Sequence, residues 1–423
     1  MASQYHGQNL PLQVIVNDAA DRRKIYTCGD TVSGVVRVDT RSKTTHVIIN
    51  FKAKAKTEIV KRQGNNSRIY KSKVYLFRYS SVFFSGENIA SLASAGDPFV
   101  SFKFEFAFPS AVMLAPTASG CLPFGRSGVF EHTPGHMLPP SMLANRGGMN
   151  DRPQTVEYYL EARMANTSHK LLDFRSEVKA RRTLTFSPPC MDLSSSSIMC
   201  KTVSLTRQTH RLHPSHENNH HGIRSHLKEF FPSSSDPCAK FFITTRAPAS
   251  VRAGYPFPVN IHFVHMSRTP DIPDPPPVGL RGFRVAFKAL TRIRVPYNGF
   301  NGPKEWQHDV NHTIEVCQRH YNGENEEIRT IADGEDLSIA ELSRSETLSV
   351  GRIMPPTFKT YGLARVYWLK VVLWVECAGK VFEVNGMRQA VKVLPWPSME
   401  TGAETERAQE EDAPPPYEEV ASI

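Results

Sequence analysis

A proline-rich motif near the end of the sequence carries the clearest binding chemistry. The segment EEDAPPPYEEVASI contains P-P-x-Y, with Pro414 and Pro415 as its prolines, Pro416 at the variable position and Tyr417 as its aromatic residue. A polyproline II helix has no internal hydrogen bonds, so the missing proline N–H costs nothing and the fixed φ lowers the entropy lost on binding. WW domains hold such a helix in an aromatic groove. We interpret the motif as a WW-domain ligand, with a chance remnant as the alternative.

A row of lysines is the second candidate. The stretch INFKAKAKTEI places Lys52, Lys54 and Lys56 on alternate positions of a predicted strand, where they share one face at spacings of about 6.6–6.8 Å. Such a row suits acidic or phosphorylated cargo tails or an inositol lipid, and an ordinary solvated strand face is the alternative. The stretch LRGFRVAFKALTRIRV presents the same choice with four basic residues, Arg284, Lys288, Arg292 and Arg294.

Histidines and cysteines are the usual metal ligands, so their spacing matters. Six histidines fall in one serine- and asparagine-rich segment, namely His210, His213, His216, His220, His221 and His226. Because no cysteine lies within this run, we predict a solvated linker without a metal, and weak zinc or copper binding is the alternative. The seven cysteines are scattered and lack C-x-x-C spacing, which predicts reduced thiols.

Catalytic and nucleic-acid signatures are missing from the sequence. It has no G-x-S-x-G, no phosphate-binding glycine loop, no H-E-x-x-H and no dinucleotide fingerprint. We therefore predict a protein without catalytic residues or cofactors. Ribonucleoprotein, zinc-finger and helix-turn-helix patterns are also missing, which predicts no nucleic-acid partner.

Charge is distributed unevenly along the 423 residues. The formal net charge is +10, yet residues 398–423 contain eight acidic residues and a single arginine. The rest of the chain is therefore more basic than the total suggests, which favours acidic partners such as anionic lipid or phosphorylated protein. The sequence has neither a run of 18 apolar residues nor a secretory signal pattern, so we predict a cytoplasmic protein.

The segments that must position these residues are predicted to be strands. VSFKFEFAF alternates phenylalanine with polar residues, and KVYLFRYSSVFF and QTVEYYLEARM are also rich in β-formers. Later in the chain, RVYWLKVVLWVECAGKVFEV predicts a hairpin turning near Gly379, and GEDLSIAELSR predicts one short helix.

These patterns predict an all-β protein with two sandwich domains. The first domain is predicted over 10–190 and the second over 238–397. Between them, 191–237 has serine clusters and the histidines, so we predict a flexible linker or insertion there. The acidic segment 398–423 is predicted to be a disordered tail that carries the P-P-x-Y motif.

A resemblance to a known family supports this interpretation. The stretch RKIYTCGDTVSGVVRVDT resembles the opening of the arrestin fold, through Tyr26, Gly29, Asp30, Val32, Gly34 and Val36. SFKFEFAFPS, LPPSM and TVEYYLEARM look like later strands and turns of the same fold, and VRAGYPFPVNIHF resembles the opening of its second domain. The resemblance implies two tandem arrestin-like, immunoglobulin-type sandwiches. Within the motif, we expect a turn at Gly29 and Asp30, and a bulge or a close backbone approach at Gly34.

With its P-P-x-Y motif, the sequence is most similar to the α-arrestins, which are trafficking adaptors. The resemblance implies a non-catalytic adaptor that links membrane transporter or receptor tails to a WW-domain-containing HECT-type ubiquitin ligase, for ubiquitination, endocytosis and sorting. It also implies recruitment from the cytoplasm to the plasma membrane or endosomes, with an anionic membrane surface as a further partner. The alternative is a ligase-independent trafficking scaffold of the same fold, similar to the cargo-binding subunit of retromer.

Overall fold

The structure is a computed structural model that describes most of the chain. It describes residues 10–17, 24–42, 44–64, 66–86, 89–93, 97–125, 127–143, 154–165, 178–189, 197–213, 233–321, 328–343, 348–352 and 354–396. The P-P-x-Y motif and the predicted acidic tail therefore lie outside the described residues.

The first half of the chain is built from strands. They are β1 (Leu12–Val16), β2 (Ile25–Tyr26), β3 (Thr31–Asp39), β4 (His46–Gln63), β5 (Asn66–Ser85), β6 (Phe99–Ala107), β7 (Met142–Leu143), β8 (Thr155–Ala165) and β9 (Val178–Phe186). Short 3-10 turns lie at Ile89–Leu92 and Pro116–Ser119.

The second half has the same character. Its strands are β10 (Ile198–Gln208), β11 (Cys238–Pro248), β12 (Ser250–Arg252), β13 (Asn260–Arg268), β14 (Val278–Gly299), β15 (Gly302–His320), β16 (Arg329–Ile331), β17 (Asp336–Ser338), β18 (Phe358–Lys359), β19 (Leu363–Cys377) and β20 (Lys380–Leu394). A 3-10 turn lies at His210–Leu212, and helix α1 spans Ile339–Leu342. The predicted all-β class is confirmed, and the helix lies inside the segment predicted for it.

Four sheets are formed by the described residues. In the first half, a three-stranded sheet has the order β1-β3-β6, and a six-stranded sheet has the order β2-β9-β8-β4-β5 with β7 also on β8. In the second half, a four-stranded sheet has the order β10-β11-β13-β17, and a seven-stranded sheet has the order β12-β20-β19-β14-β15 with β16 and β18 attached. Most pairings are antiparallel; β2 with β9 and β12 with β20 are parallel.

Each half has its own hydrophobic core between its two sheets, as in a β-sandwich. In the first core, Val36 of β3 and Phe104 of β6 meet Phe51 of β4 and Tyr158 of β8. Alternation explains this packing, since every second residue of a strand points to the same face. The second core contains a corresponding set from β11, β13, β14, β19 and β20.

The first core also receives residues from the second half. Ile293 and Val295 of β14, Phe358 of β18 and Leu363 of β19 belong to the same buried cluster as Phe51. The two halves are therefore joined by apolar packing, with β14 extending from the second core into the first.

The hairpin predicted near Gly379 is present. Strands β19 and β20 pair from Cys377 with Lys380 onwards, and Ala378 and Gly379 have φ angles of 47° and 76°. Two consecutive positive φ values are typical of the type I′ turn that joins tightly paired strands.

The predicted linker over 191–237 is wrong in one part. Strand β10 lies inside it and pairs along its whole length with β11. Its inward residues Met199, Val203 and Leu205 are only partly buried against the second core, because β10 is an edge strand. The polar, serine-rich composition around it therefore obscured a real alternation. Within the described part of the chain, no helix is long and apolar enough to cross a membrane.

Candidate functional site

The candidate site lies on the outer face of the six-stranded sheet. Strand β4 runs between β5 and β8, so its residues have neighbours on both sides. Phe51 and Ala53 point into the first core, and alternation places Lys52, Lys54 and Lys56 on the opposite face.

Lys52 is enclosed by an ion-pair network although it points away from the core. Its side chain is only 2% exposed, and its Nζ donates to Oε1 of Glu161 at 2.8 Å. Arg163 donates to the same carboxylate oxygen at 2.7 Å from Nε. Desolvation raises the pKa of Glu161, but the hydrogen bonds and charges of Lys52 and Arg163 outweigh it and lower that pKa to about 2. Glu161 is therefore a fixed anion at neutral pH.

Lys54 repeats this arrangement one step along the strand. Its Nζ lies 3.1 Å from Oε2 of Glu157, and Arg181 approaches the same oxygen at 2.5 Å. Both cations also contact the ring of Tyr159, whose centroid lies 4.6 Å from Lys54 Nζ and 3.8 Å from Arg181 Cζ. Desolvation raises the pKa of Glu157, but the hydrogen bonds and charges of Arg181 and Lys54 lower it to about 2.

The structure differs from both sequence interpretations of the lysine row. Lys52 and Lys54 are buried and Lys56 is half-buried, so the row is neither a solvated face nor an accessible contact row. The reason is that the long side chains of β8 and β9 extend over the lysines, and the carboxylates draw the ammonium groups down to the sheet. Burial lowers the pKa of both Lys52 and Lys54, against the raising effect of their glutamates.

Around these pairs the sheet face remains strongly positive. Over the described stretches 50–56, 73–80, 157–163 and 179–183, the outward side chains include only two carboxylates, those of Glu157 and Glu161. The outward basic residues are Lys52, Lys54, Lys56, Lys73, Arg78, Arg163, Lys179 and Arg181. We call this set of eight cations and two carboxylates the basic face. The adjoining pair of Glu58 and Lys71 is neutral.

The basic face has two layers with different roles. Lys52 and Lys54 form the lower layer, where they are neutralised by carboxylates. The upper layer is exposed and contains Lys73 and Arg78 on β5 with Lys179 on β9. Exposed cations on a sheet attract acidic groups and steer their approach. The lower layer is therefore buried and paired, and the upper layer faces solvent.

A shallow groove continues the basic face at one end. It has a volume of about 490 Å³ and lies where β7 and β9 both border β8. Arg181 and the hydroxyl-bearing residues Ser141, Thr155, Thr183 and Thr185 contribute to its lining. The carboxylate of Glu157 and the apolar side chains of Met142, Leu143, Val156 and Leu184 line it as well, so the groove has a mixed lining.

The basic residues of β14 do not form a comparable surface. Arg284, Lys288 and Arg292 are half-buried, whereas Arg294 is completely buried. Arg294 donates to three backbone carbonyls: Nε to Tyr361 at 2.5 Å, Nη1 to Gly125 at 2.6 Å and Nη2 to Glu131 at 3.0 Å. It therefore ties a segment of the first half to strands of the second.

Two phenylalanine rings complete the surroundings of Arg294. Its Cζ lies 4.6 Å from the ring centroid of Phe124 and 4.4 Å from that of Phe130. Desolvation lowers the pKa of Arg294 to about 10, partly offset by the carboxylate of Glu305, 3.8 Å away. Arg294 remains charged at neutral pH and is inaccessible to a partner.

The residues of the opening motif have structural roles. Tyr26 is buried and stacks on Phe108. Gly29 has a φ of +87°, and the carboxylate of Asp30 accepts a hydrogen bond of 2.7 Å from the backbone N–H of Thr27, as expected for the predicted turn. At Gly34 a Cβ atom would overlap the carbonyl oxygen of Ile15, so the predicted close backbone approach is confirmed.

The remaining candidates are only partly described. Pro414, Pro415, Pro416 and Tyr417 lie outside the described residues. Among the clustered histidines, His210 and His213 lie at a 3-10 turn after β10. The other four also lie outside the described residues.

Comparison with known proteins identifies no relative. No protein-family model matches this sequence, and no curated protein matches it either. The structural evidence for a function is therefore the basic face.

Several members of the basic face were missed from the sequence. Arg163, Lys179 and Arg181 lie on β8 and β9, which pair beside β4 although they are about a hundred positions away in the chain. The signal was present in TVEYYLEARM, where Glu157, Tyr159, Glu161 and Arg163 alternate with apolar residues. Only the order of the strands in the sheet shows that these charges face the lysines.

Proposed function

We propose that this protein is a non-catalytic adaptor that binds acidic segments of membrane-protein cargo on the basic face and recruits a WW-domain ubiquitin ligase of the HECT type through its P-P-x-Y motif. The observation that carries the proposal is the excess of cations on a rigid sheet face. The resemblance of the opening motif to the arrestin fold, and of the P-P-x-Y motif to those of the α-arrestins, supports the same function. In this proposal the ligase supplies the chemistry of ubiquitin transfer, and the adaptor brings lysines on the cargo or on itself within reach.

The two layers of the basic face explain how binding would proceed. The network of Lys52 with Glu161 and of Lys54 with Glu157 holds the outer cations in register. An acidic segment then gains interactions with Lys73, Arg78 and Lys179, residues that are exposed in the structure. Because exposed charges are screened by salt, the affinity is expected to fall as ionic strength rises.

The P-P-x-Y motif is proposed to hold the ligase. A single short motif in an acidic segment gives modest affinity, with a dissociation constant of about 10 μM, which corresponds to about −7 kcal/mol. Several WW domains on one ligase, together with cargo in the same membrane, would raise the effective affinity by avidity. The protein would accordingly work from the cytoplasm at the plasma membrane or endosomes, where both partners meet.

Titration with a labelled acidic peptide tests the cargo side of the proposal. The probe is a fluorescent peptide of alternating glutamate and serine, and the protein is the full chain. Lys73→Gln/Arg78→Gln is expected to weaken binding by about tenfold, since two exposed charges of the upper layer are removed. The matched control is Arg388→Gln/Lys392→Gln, which removes two exposed charges from β20 and is expected to bind like the wild type. Equal binding by both double variants would contradict the proposal.

Titration with WW domains tests the ligase side. Tyr417→Ala is expected to weaken binding by about 2 kcal/mol, because the aromatic residue is the anchor of the motif. Pro416→Ala is the control, since it changes the variable position of the same motif. If no WW domain binds, or if Tyr417→Ala binds like the wild type, a ligase-independent trafficking scaffold takes the place of the adaptor.

A further inference from the structure

Two long hairpins protrude from the two halves of the molecule. Strands β4 and β5 pair up to a turn that begins at Gly64, with Gln63 opposite Asn66. Strands β14 and β15 pair up to a two-residue turn of Phe300 and Asn301. One hairpin belongs to the six-stranded sheet of the first half, and the other to the seven-stranded sheet of the second.

An aromatic cluster packs these hairpins together close to their turns. Tyr70 of β5 lies 5.1 Å from Tyr297 and 6.0 Å from Trp306, measured between ring centroids. Tyr297 and Trp306 stack at 5.4 Å across the second hairpin. Each of these residues lies within a few positions of the end of its hairpin, so the two hairpin ends lie beside the same cluster. We call the described residues 61–64, 66–70 and 297–306 the paired tips.

A fully exposed aromatic residue lies at the end of the paired tips. Phe300 has a relative exposure of 105%, so its whole ring is in water. Two-residue hairpin turns usually contain asparagine, aspartate or glycine, which makes phenylalanine an unusual choice at this position. Ile69 on the neighbouring hairpin is 39% exposed. The paired tips therefore present apolar groups on a protrusion, where no concave pocket encloses them.

Both hairpins carry basic residues near their turns. Arg62 and Arg68 on the first hairpin and Lys304 on the second are exposed, and Lys61 lies with its Nζ 4.5 Å from the ring centroid of Trp306. Neither 59–70 nor 296–304 contains an acidic residue.

The nearest carboxylates are engaged elsewhere. Glu58 lies 3.5 Å from Lys71, and Glu305 accepts a hydrogen bond from the backbone N–H of Gly125 and faces the buried Arg294. The paired tips are therefore positive as well as apolar at their end.

We propose that the paired tips dock on an anionic lipid surface, with Phe300 entering the boundary between headgroups and acyl chains. Arg62, Arg68 and Lys304 would then lie at the level of the lipid phosphates. A protruding aromatic residue with cations on the same two hairpins suits a soft planar membrane, which moulds around it without a preformed pocket. The lipid contact that the sequence associated with Lys52 and Lys54 is better assigned here, because those lysines are buried and paired. This surface is separate from the basic face, so it adds a membrane partner to the proposed adaptor.

Vesicle binding by the full chain tests the membrane contact. The probes are phosphatidylcholine vesicles with and without phosphatidylserine, in a co-sedimentation assay. Phe300→Ser is expected to lower partitioning onto phosphatidylserine vesicles by about tenfold, and it disturbs no packing because the ring is fully exposed. Val381→Ser is the matched control, since Val381 is also an exposed apolar residue beside a hairpin turn. Partitioning of Phe300→Ser equal to that of the wild type would overturn the proposal.

Two further measurements separate a membrane from an acidic protein as the partner. Phe300→Trp is expected to gain fluorescence that brominated lipids quench, whereas Val381→Trp is expected to gain fluorescence that they do not quench. Arg62→Gln/Arg68→Gln is expected to remove most of the preference for phosphatidylserine, and Arg388→Gln/Lys392→Gln to retain it. No quenching of Phe300→Trp would contradict insertion. Phe300→Ser is expected to bind the acidic peptide like the wild type, so this test fails or succeeds independently of the proposed cargo surface.

Discussion

Two regions of this molecule bury positive charge, and they do so in different ways. On the six-stranded sheet, Lys52 and Lys54 are neutralised by the carboxylates of Glu161 and Glu157. At the contact between the two halves, Arg294 is held by backbone carbonyls at distances of 2.5 to 3.0 Å. The first region depends on carboxylates that acid can neutralise and on ion pairs that a double substitution can remove. The second region depends on backbone carbonyls, which no side-chain substitution can remove.

The largest effect is expected from Arg294→Met. It leaves the carbonyls of Tyr361, Gly125 and Glu131 buried without their donors, and we expect a loss of about 3 to 5 kcal/mol in the free energy of unfolding. Arg294→Lys is expected to lose nearly as much, because one ammonium group cannot reproduce the planar fork. Urea denaturation measures both. Arg292→Met, a half-buried neighbour on the same strand, is the control and is expected to lose less than about 1 kcal/mol.

The ion pairs of the sheet are expected to respond differently to single and double substitution. Glu161→Gln leaves Lys52 buried without its anion, and we expect a loss of about 2 to 3 kcal/mol in the free energy of unfolding. Lys52→Met/Glu161→Leu removes both charges and is expected to recover most of that loss. A double-mutant cycle in urea measures the coupling. If the double variant is less stable than Glu161→Gln, apolar residues cannot replace the ion pair. The contrast with Arg294 would then be wrong.

Acid provides a test of the same contrast without a change in packing. Folding depresses the pKa of Glu157 and Glu161 to about 2, below their usual value. Their contribution is therefore complete above the pKa of the unfolded chain, near 4.3, and is lost as the pH falls towards about 2. Denaturation between about pH 5 and pH 2.5 is expected to show a smaller loss of stability in Glu161→Gln than in the wild type. The free energy of unfolding of Arg294→Lys is expected to fall with decreasing pH as steeply as that of the wild type, since its ammonium group does not titrate in this range.

The smallest effect is expected where the two regions meet. Thr57 lies on β4, next to Lys56, and its hydroxyl donates to the backbone carbonyl of Arg294 at 3.3 Å. Thr57→Val keeps the shape of the side chain and removes this hydrogen bond, at an expected cost of about 1 kcal/mol in the free energy of unfolding. Thr57→Ser, which retains the hydroxyl, is the control. A loss above that of Glu161→Gln would show that the two regions are more strongly coupled than one hydrogen bond implies.

The sequence was sufficient for the fold class because alternation is a local signal. The phenylalanines of β6, the hairpin at Gly379 and the turn at Gly29 all follow from residues close together in the chain. The burial of Lys52 could not be predicted in this way, since it depends on Glu161 and Arg163 from a strand about a hundred positions later. The burial of Arg294 was not predicted for the same reason, because its partners are Gly125 and Glu131 of the first half and Tyr361 of the second.

Strand β10 shows a different limit of prediction from the sequence. Its inward residues alternate, but they lie in a serine- and histidine-rich context and are only partly buried, so composition outweighed periodicity in the prediction. Phe300 shows the opposite limit, since the sequence alone gives no reason to expect that a phenylalanine between Gly299 and Asn301 remains wholly in water. Exposure is a property of the assembled hairpin.

The central claim is that one chain bridges an acidic cargo segment and a WW domain, and a bridging assay tests it most directly. WW domains on beads are mixed with the fluorescent acidic peptide, with and without the full chain, and bead-bound fluorescence is measured. We predict capture of the peptide by the wild type and by Arg388→Gln/Lys392→Gln, and its loss in both Tyr417→Ala and Lys73→Gln/Arg78→Gln. Capture that persists in either of the last two variants, or its absence with the wild type, would contradict the adaptor.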